Sequence, residues 1–149
     1  MTLQEKLNAD MRQAMREGDE RRKSIVRLVL AGVKNAEIAK GGTLDDAGVI
    51  DVISRQVKQC RESIGEFKKG QRQDLVDKEE AEVAILLEYL PKQSSREEIA
   101  EAARKVIEQV GAKGPGDKGK VMAKLMPQLK GKADGREVGE VVSGLLGGS

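Results

Sequence analysis

The stretch TLDDAGVIDVISRQVKQCRESIGEFKKG, Thr43 to Gly70, decides the fold. Its apolar stripe is Val49, Val52, Ile53, Val57, Cys60, Ile64 and Phe67. Steps of three and four place them on one side of a helix of 3.6 residues per turn, the signature of an amphipathic helix packed on a core. Thr43-x-x-Asp46 has the form of a capping box with the shorter acid, so the helix is expected to begin there. Gly70 is expected to end it.

The same periodicity runs outward in both directions. Upstream, Thr2-x-x-Glu5 is a capping box that opens a helix with Leu3, Leu7, Met11, Ala14 and Met15 as its stripe and Gly18 as its stop. Asp19 is placed to cap a second helix that buries Ile25, Leu28, Val29, Val33, Ala36 and Ile38 before Gly41-Gly42. Downstream, a fourth helix is expected from about Asp74 to Leu90, with Leu75, Val76, Val83, Leu86, Leu87 and Leu90 inside and Pro91 halting it. After the linker Pro91–Ser95, a capping box at Ser95-x-x-Glu98 opens a helix carrying Ile99, Ala102, Ala103, Val106, Ile107 and Val110. Asp117 is expected to cap a short helix through Met126, and Asp134 a last one from Gly135 to Leu146, with a frayed tail Gly147–Ser149. The expected fold is therefore all-α, with seven helices and no strand. An antiparallel four-helix bundle-like N-terminal domain occupies residues 1–90, and a small three-helix domain residues 91–149.

Composition narrows the chemistry. The 149 residues hold one Phe, one Tyr, no Trp and no His. Two rings cannot build a base-stacking platform. The missing imidazole removes the Ser-His-Asp and Cys-His templates and most zinc sites. A single cysteine, Cys60, forbids an internal disulfide, and its place on the third helix's apolar stripe reads as a buried structural thiol. No cofactor is called for. The acids Asp77, Glu79, Glu80, Glu82 and Glu88 read as a solvated helix face, and Arg16, Arg21, Arg22, Lys23 and Arg27 as a charged surface paired with neighbouring acids. Met11, Met15, Met122 and Met126 read as core filler. The polar, acid-containing N-terminus lacks the features of a secretory or organellar leader and no apolar run approaches a membrane span, so a soluble cytoplasmic protein with no membrane partner is expected.

Charge is uneven. Residues 1–90 carry 16 basic and 17 acidic side chains, whereas 91–149 carry 11 and 8. Within 111–136 seven basic residues face two acids, a net +5 in a glycine-rich stretch of the kind that meets phosphates. Gly114 to Lys120 fits G-x-x-x-x-G-K, but Val121 stands where a P-loop needs Ser or Thr, and a helix precedes it where a strand should. It reads as a turn leading into a helix. Lys120 and Lys124 lie four apart, on one face of that helix and away from Val121, Met122, Leu125 and Met126. Like charges at this spacing destabilise a helix slightly, and an external anion would offset that.

Glu88-Tyr-Leu-Pro-Lys-Gln93, Gly119-Lys-Val-Met122, Leu125-Met-Pro127 and Lys130-Gly-Lys-Ala-Asp-Gly135 followed by Val138 resemble the signature of the YqeY family. Asp10-Met11-x-x-Ala14-Met15 and Gln73-Asp-Leu75 extend the resemblance across the chain. It implies an all-helical protein whose C-terminal half is similar to the tail domain of the B subunit of the tRNA-dependent amidotransferase, a domain that helps to hold tRNA. The positions that the resemblance carries over as RNA contacts are Lys118, Gly119, Lys120, Lys124, Lys130, Gly131, Lys132, Asp134, Gly135 and Arg136. In this reading Gly131 and Gly135 let the backbone approach closely and Asp134 caps the last helix. The expected function is a non-catalytic tRNA-binding module, with tRNA and tRNA-charging or amidotransferase proteins as its partners. Two rivals stand beside it: an accessory component of a carbon–nitrogen ligase using glutamine as amide donor, and a protein-interaction adaptor built on the N-terminal helices. The oligomeric state is not legible in the sequence.

Overall fold

In the computed structural model, residues 1–147 are described. Gly148 and Ser149, part of the expected frayed tail, lie outside the described residues. Among the described residues there are seven α-helices, two short 3₁₀ turns and no strand. The chain divides into two compact units, Met1–Pro91 and Lys92–Ser149.

The first unit holds α1 (Leu3–Glu17), α2 (Glu20–Lys40), α3 (Asp46–Lys69) and α4 (Gln73–Leu87). Thr2 caps α1 by accepting from the Glu5 amide at 3.1 Å, and Asp19 caps α2 by accepting from the Arg22 amide at 3.1 Å. Between them Gly18 sits at φ +74°, the left-handed turn that costs a side-chain-bearing residue about 1–2 kcal/mol. α3 packs chiefly on α4, and α1 on α2. Leu7, Val26, Val29, Val33, Val49, Ile53 and Leu86 form a buried apolar interior. Gly32 lets α2 and α3 close up, because a Cβ there would stand 2.9 Å from Val52 Cγ1.

Several expectations shift in this unit. The cap of α3 is Asp45, not Thr43: Asp45 Oδ1 accepts from the Gly48 amide at 2.9 Å. Asp46, expected to reach back to Thr43, instead accepts from the Leu3 amide at the start of α1, at 2.9 Å. An acid between two helix starts is drawn to whichever unsatisfied amide lies nearer, and packing decides that. The left-handed residue after α3 is Gln71 (φ +58°), one beyond Gly70. α4 ends at Leu87 and unwinds through single-turn bonds from Glu88, Tyr89 and Leu90, three residues short of the expected stop. Leu28, Ile38 and Met15, expected inside, are exposed by 50%, 71% and 54%. At 100° per residue, Leu28 and Ile38 stand about 115° and 165° from the centre of the arc that Ile25, Val26, Val29 and Val33 make, too far round to reach the core.

The second unit holds α5 (Arg96–Val110), a 3₁₀ turn (Pro115–Asp117), α6 (Lys118–Leu125), a second 3₁₀ turn (Met126–Leu129) and α7 (Gly135–Leu145). α5 starts with the expected reciprocal box. The Glu98 amide donates to Ser95 Oγ at 3.1 Å and the Ser95 amide to Glu98 Oε1 at 3.0 Å. Ile99, Ala103, Val106, Val121, Leu125, Leu129, Val138 and Val142 close a small separate core. Asp117 does not cap α6. The 3₁₀ turn carries the chain into the helix, and the Asp117 carboxylate accepts from the Lys113 amide at 2.9 Å, tying the loop shut. Met11, Met122 and Met126 are only partly buried, against the edges of the two cores.

Candidate nucleic-acid interface

The basic stretch is built on α6 and the turn that follows it. Val121 and Leu125 are fully buried, which fixes the rotation of α6 and turns Lys120 and Lys124 out together as exposed neighbours. Lys118 departs from them. It is half-buried, and a Cβ built on Gly139 would stand 3.7 Å from its Nζ, so its stem lies against α7. Gly119 is exposed, with open space around it.

Beyond the second 3₁₀ turn, Lys130 and Lys132 are exposed on either side of Gly131, whose φ of +74° requires glycine. The Gly131 and Lys132 carbonyls accept bonds of 2.7 Å from Gln93 Nε2 and the Ser94 amide. Asp134 caps α7, its Oδ1 accepting from the Arg136 amide at 3.2 Å. Gly135 is the first residue of α7 and its φ is not left-handed, while a Cβ there would make ordinary contact with Met126 Cε at 3.5 Å. No close approach of backbone depends on it. Arg136 is exposed, with Nε 4.0 Å from Glu140, whose other oxygen accepts from Arg96 Nη1 at 3.3 Å. Among the described residues no ion pair engages Lys113, Lys120, Lys124 or Lys132. The lookalike Gly114–Lys120 is a loop and 3₁₀ turn entering α6, with no strand before it among the described residues.

A second polar cluster, in the first unit, escaped the sequence reading. Tyr89 is buried, and its hydroxyl donates to Asp10 Oδ2 at 2.6 Å. Arg22 donates to the Tyr89 oxygen at 3.4 Å and to Glu88 Oε2 at 2.8 Å. Lys6 pairs with Asp10 at 3.1 Å and lies 5.3 Å from the Tyr89 ring centre. Burial pushes the phenol up to about 12, helped by the Asp10 carboxylate it bonds. Burial would raise Asp10, but the bonds from Tyr89 and Lys6 and the charges of Lys6 and Arg22 outweigh it and hold that carboxyl below its ordinary value. The cluster ties the first half of α1, the first turn of α2 and the residues just after α4 together. Its sequence signals were motif residues quoted apart, Asp10 in the first helix and Glu88-Tyr89 at the junction, with nothing local to join them.

Cys60 is buried as expected, and its thiol is pushed up to about 12 by burial and by the neighbouring Glu79. It is an inert thiol at neutral pH. Glu79 and Glu82 are not on a solvated face. They are half-buried and converge with Cys60, because α4 lies along α3 at this point. Burial, with Glu79 beside it, holds Glu82 above its ordinary value. Asp77, Glu80 and Glu88 are exposed as expected.

The fold and this basic face define an all-helical protein of two compact units. The chain belongs to the YqeY family: the family described as Yqey-like protein matches residues 4–146. It is similar to the protein named altered inheritance of mitochondria protein 41, mitochondrial, from three yeasts. In Saccharomyces cerevisiae S288c the identity is 32% over 130 residues, covering 85% of this chain and 70% of the relative. In Lachancea thermotolerans it is 42% over 85 residues, covering 56% and 46%. In Kluyveromyces lactis it is 42% over 97 residues, covering 62% and 52%. The matched region thus spans about half the length of the last two relatives. These names correct the expectation of a cytoplasmic protein, because the relatives are named as mitochondrial. The physical reason is that residues 3–17 form α1, with Leu7 and Ala14 buried, so their polar–apolar pattern reports packing rather than an address. Among the described residues no helix is long and apolar enough to cross a membrane.

Proposed function

We propose that this protein is a non-catalytic tRNA-binding module, and that its second unit acts as the tail domain of the amidotransferase B subunit does. The observation that carries the reading is the net +5 of residues 111–136 on a small unit whose buried Val121 and Leu125 turn Lys120 and Lys124 outward. Lysines on a short helix and a glycine turn supply point charges for phosphates and read shape rather than base sequence. Lys120, Lys124, Lys130 and Lys132 make the main contacts, with Arg136 contributing less because Glu140 stands beside it. Lys118 serves the packing of α6 on α7. Each phosphate contact releases condensed counterions, so affinity falls with salt by a log–log slope of about −0.7 per contact on single strands. The test is tRNA binding by the intact protein and by the variant with all four lysines changed to Ala, each across a salt series. The expected result is at least tenfold weaker binding, about 1.4 kcal/mol, with a flatter slope. Equal affinity in the two proteins at low salt refutes the site.

A second reading, a protein-interaction adaptor, is favoured by one observation: Leu28 and Ile38 are large apolar residues left exposed on α2. Absence of tRNA binding by the intact protein, with loss of a co-purifying protein in Leu28→Lys/Ile38→Lys, would favour it.

A further inference from the structure

The Lys130–Lys132 turn is held from two sides. From within, the Lys132 and Ala133 amides donate to the Leu129 carbonyl at 2.8 and 3.2 Å, and Leu129 is itself part of the second unit's core. From outside, Gln93 Nε2 donates to the Gly131 carbonyl and the Ser94 amide to the Lys132 carbonyl, each at 2.7 Å, across 38 residues of chain. Two successive carbonyls of a glycine turn are thereby directed at the linker. Carbonyl oxygens repel phosphate, and a turn free to rotate at glycine would present them to an anion part of the time. Ordering such a turn on binding also costs free energy that a pre-set turn does not lose. Gln93 is half-buried, while Lys130 and Lys132 on either side of the pinned glycine are exposed.

We propose that Gln93 is a positioning residue for RNA phosphate binding: its side-chain amide locks the Gly131 carbonyl away from the anion and sets Lys130 and Lys132 in their binding geometry. The inference rests on the tRNA reading above and adds to it a residue outside the basic stretch. The Gln93 contact is with backbone, so the side chains it orients need not touch it.

The experiment uses the full chain and unfractionated tRNA. Gln93→Met keeps the shape and removes the donor, and Gln93→Glu places a carboxylate against the carbonyl, so two variants address the same bond. Three readouts are taken: affinity, the salt slope, and exchange protection of the Lys132 and Ala133 amides without RNA. Both variants are expected to bind about two- to tenfold more weakly, with a slope moved toward that of Lys130→Ala/Lys132→Ala and faster exchange at the two amides. In the Lys130→Ala/Lys132→Ala background, Gln93→Met should have no further effect on affinity, an outcome that a general loss of stability would not produce. Unchanged affinity and slope in Gln93→Met and Gln93→Glu, with wild-type binding intact, overturn the positioning role alone. An additive loss in the lysine-free background overturns it as well. Absence of tRNA binding by the wild-type chain overturns the RNA reading and this inference together.

Discussion

Changing Tyr89 to Phe removes one hydroxyl from a buried ring and leaves its packing in place. The hydroxyl donates to Asp10 Oδ2 at 2.6 Å and accepts from Arg22 at 3.4 Å, so the loss falls on a charge-assisted bond. Such bonds contribute about 1.5–3 kcal/mol. The Asp10 and Arg22 side chains keep 30% and 27% exposure, so water compensates in part, and a loss of about 1–2 kcal/mol is expected near neutral pH. For a unit of this size that lowers Tm by roughly 5–10 °C. The alkaline limb carries the sharper test. The phenol is pushed up to about 12 in the folded chain against an ordinary 10.0. A raised folded value means stability that is whole below pH 10 and lost as pH rises through 12, because the unfolded chain sheds the proton first. That loss amounts to roughly 2–3 kcal/mol at 1.36 kcal/mol per pH unit, and Tyr89→Phe cannot show it. The advantage of wild type over the variant should therefore shrink across that window. Tyr89 is the only tyrosine and there is no tryptophan, so phenolate absorbance titrates this one group directly. Urea denaturation followed by circular dichroism at several pH values supplies the stabilities. A phenol midpoint near 10 in the folded protein, or an identical alkaline loss in both proteins, would refute the argument.

Four further outcomes are expected. On the acid side, the lowered Asp10 value means stability present above its ordinary 3.8 and lost as pH falls through the folded value, so Asp10→Asn should flatten the acid limb of the stability profile. Ser95→Ala removes one half of the reciprocal box and should cost about 1 kcal/mol, read as faster exchange in the first turn of α5. Gln71→Gly relieves a left-handed residue at φ +58° and should raise stability by about 0.5–1 kcal/mol in urea melts, and a loss would show that the Gln71 side chain matters more than its backbone. Cys60 should resist alkylation at pH 8 in the native protein and react promptly in denaturant; fast native modification would contradict its burial and its value of about 12.

The helical character of this chain was legible in its sequence because the information is local. Apolar residues at steps of three and four, Thr2, Asp19, Ser95 and Asp134 at helix starts, and Gly18, Gly41 and Gly111 at helix ends each act within one or two turns. The seven helices follow from them, as does the outward pairing of Lys120 and Lys124 once Val121 and Leu125 are assigned to the core. Tertiary structure decided what depends on neighbours distant in sequence. Which amide Asp46 takes depends on where the start of α1 places the Leu3 amide. The exposure of Leu28 and Ile38 depends on which arc of α2 meets α3 and α4, and hydrophobicity alone does not choose between arcs of similar composition. Tyr89 finds Asp10 across 79 residues, Arg22 finds Glu88 across 66, and Gln93 finds Gly131 across 38. A hydrogen bond reaches about 3 Å, and no spacing rule along one chain announces which distant donor and acceptor packing will bring within that reach.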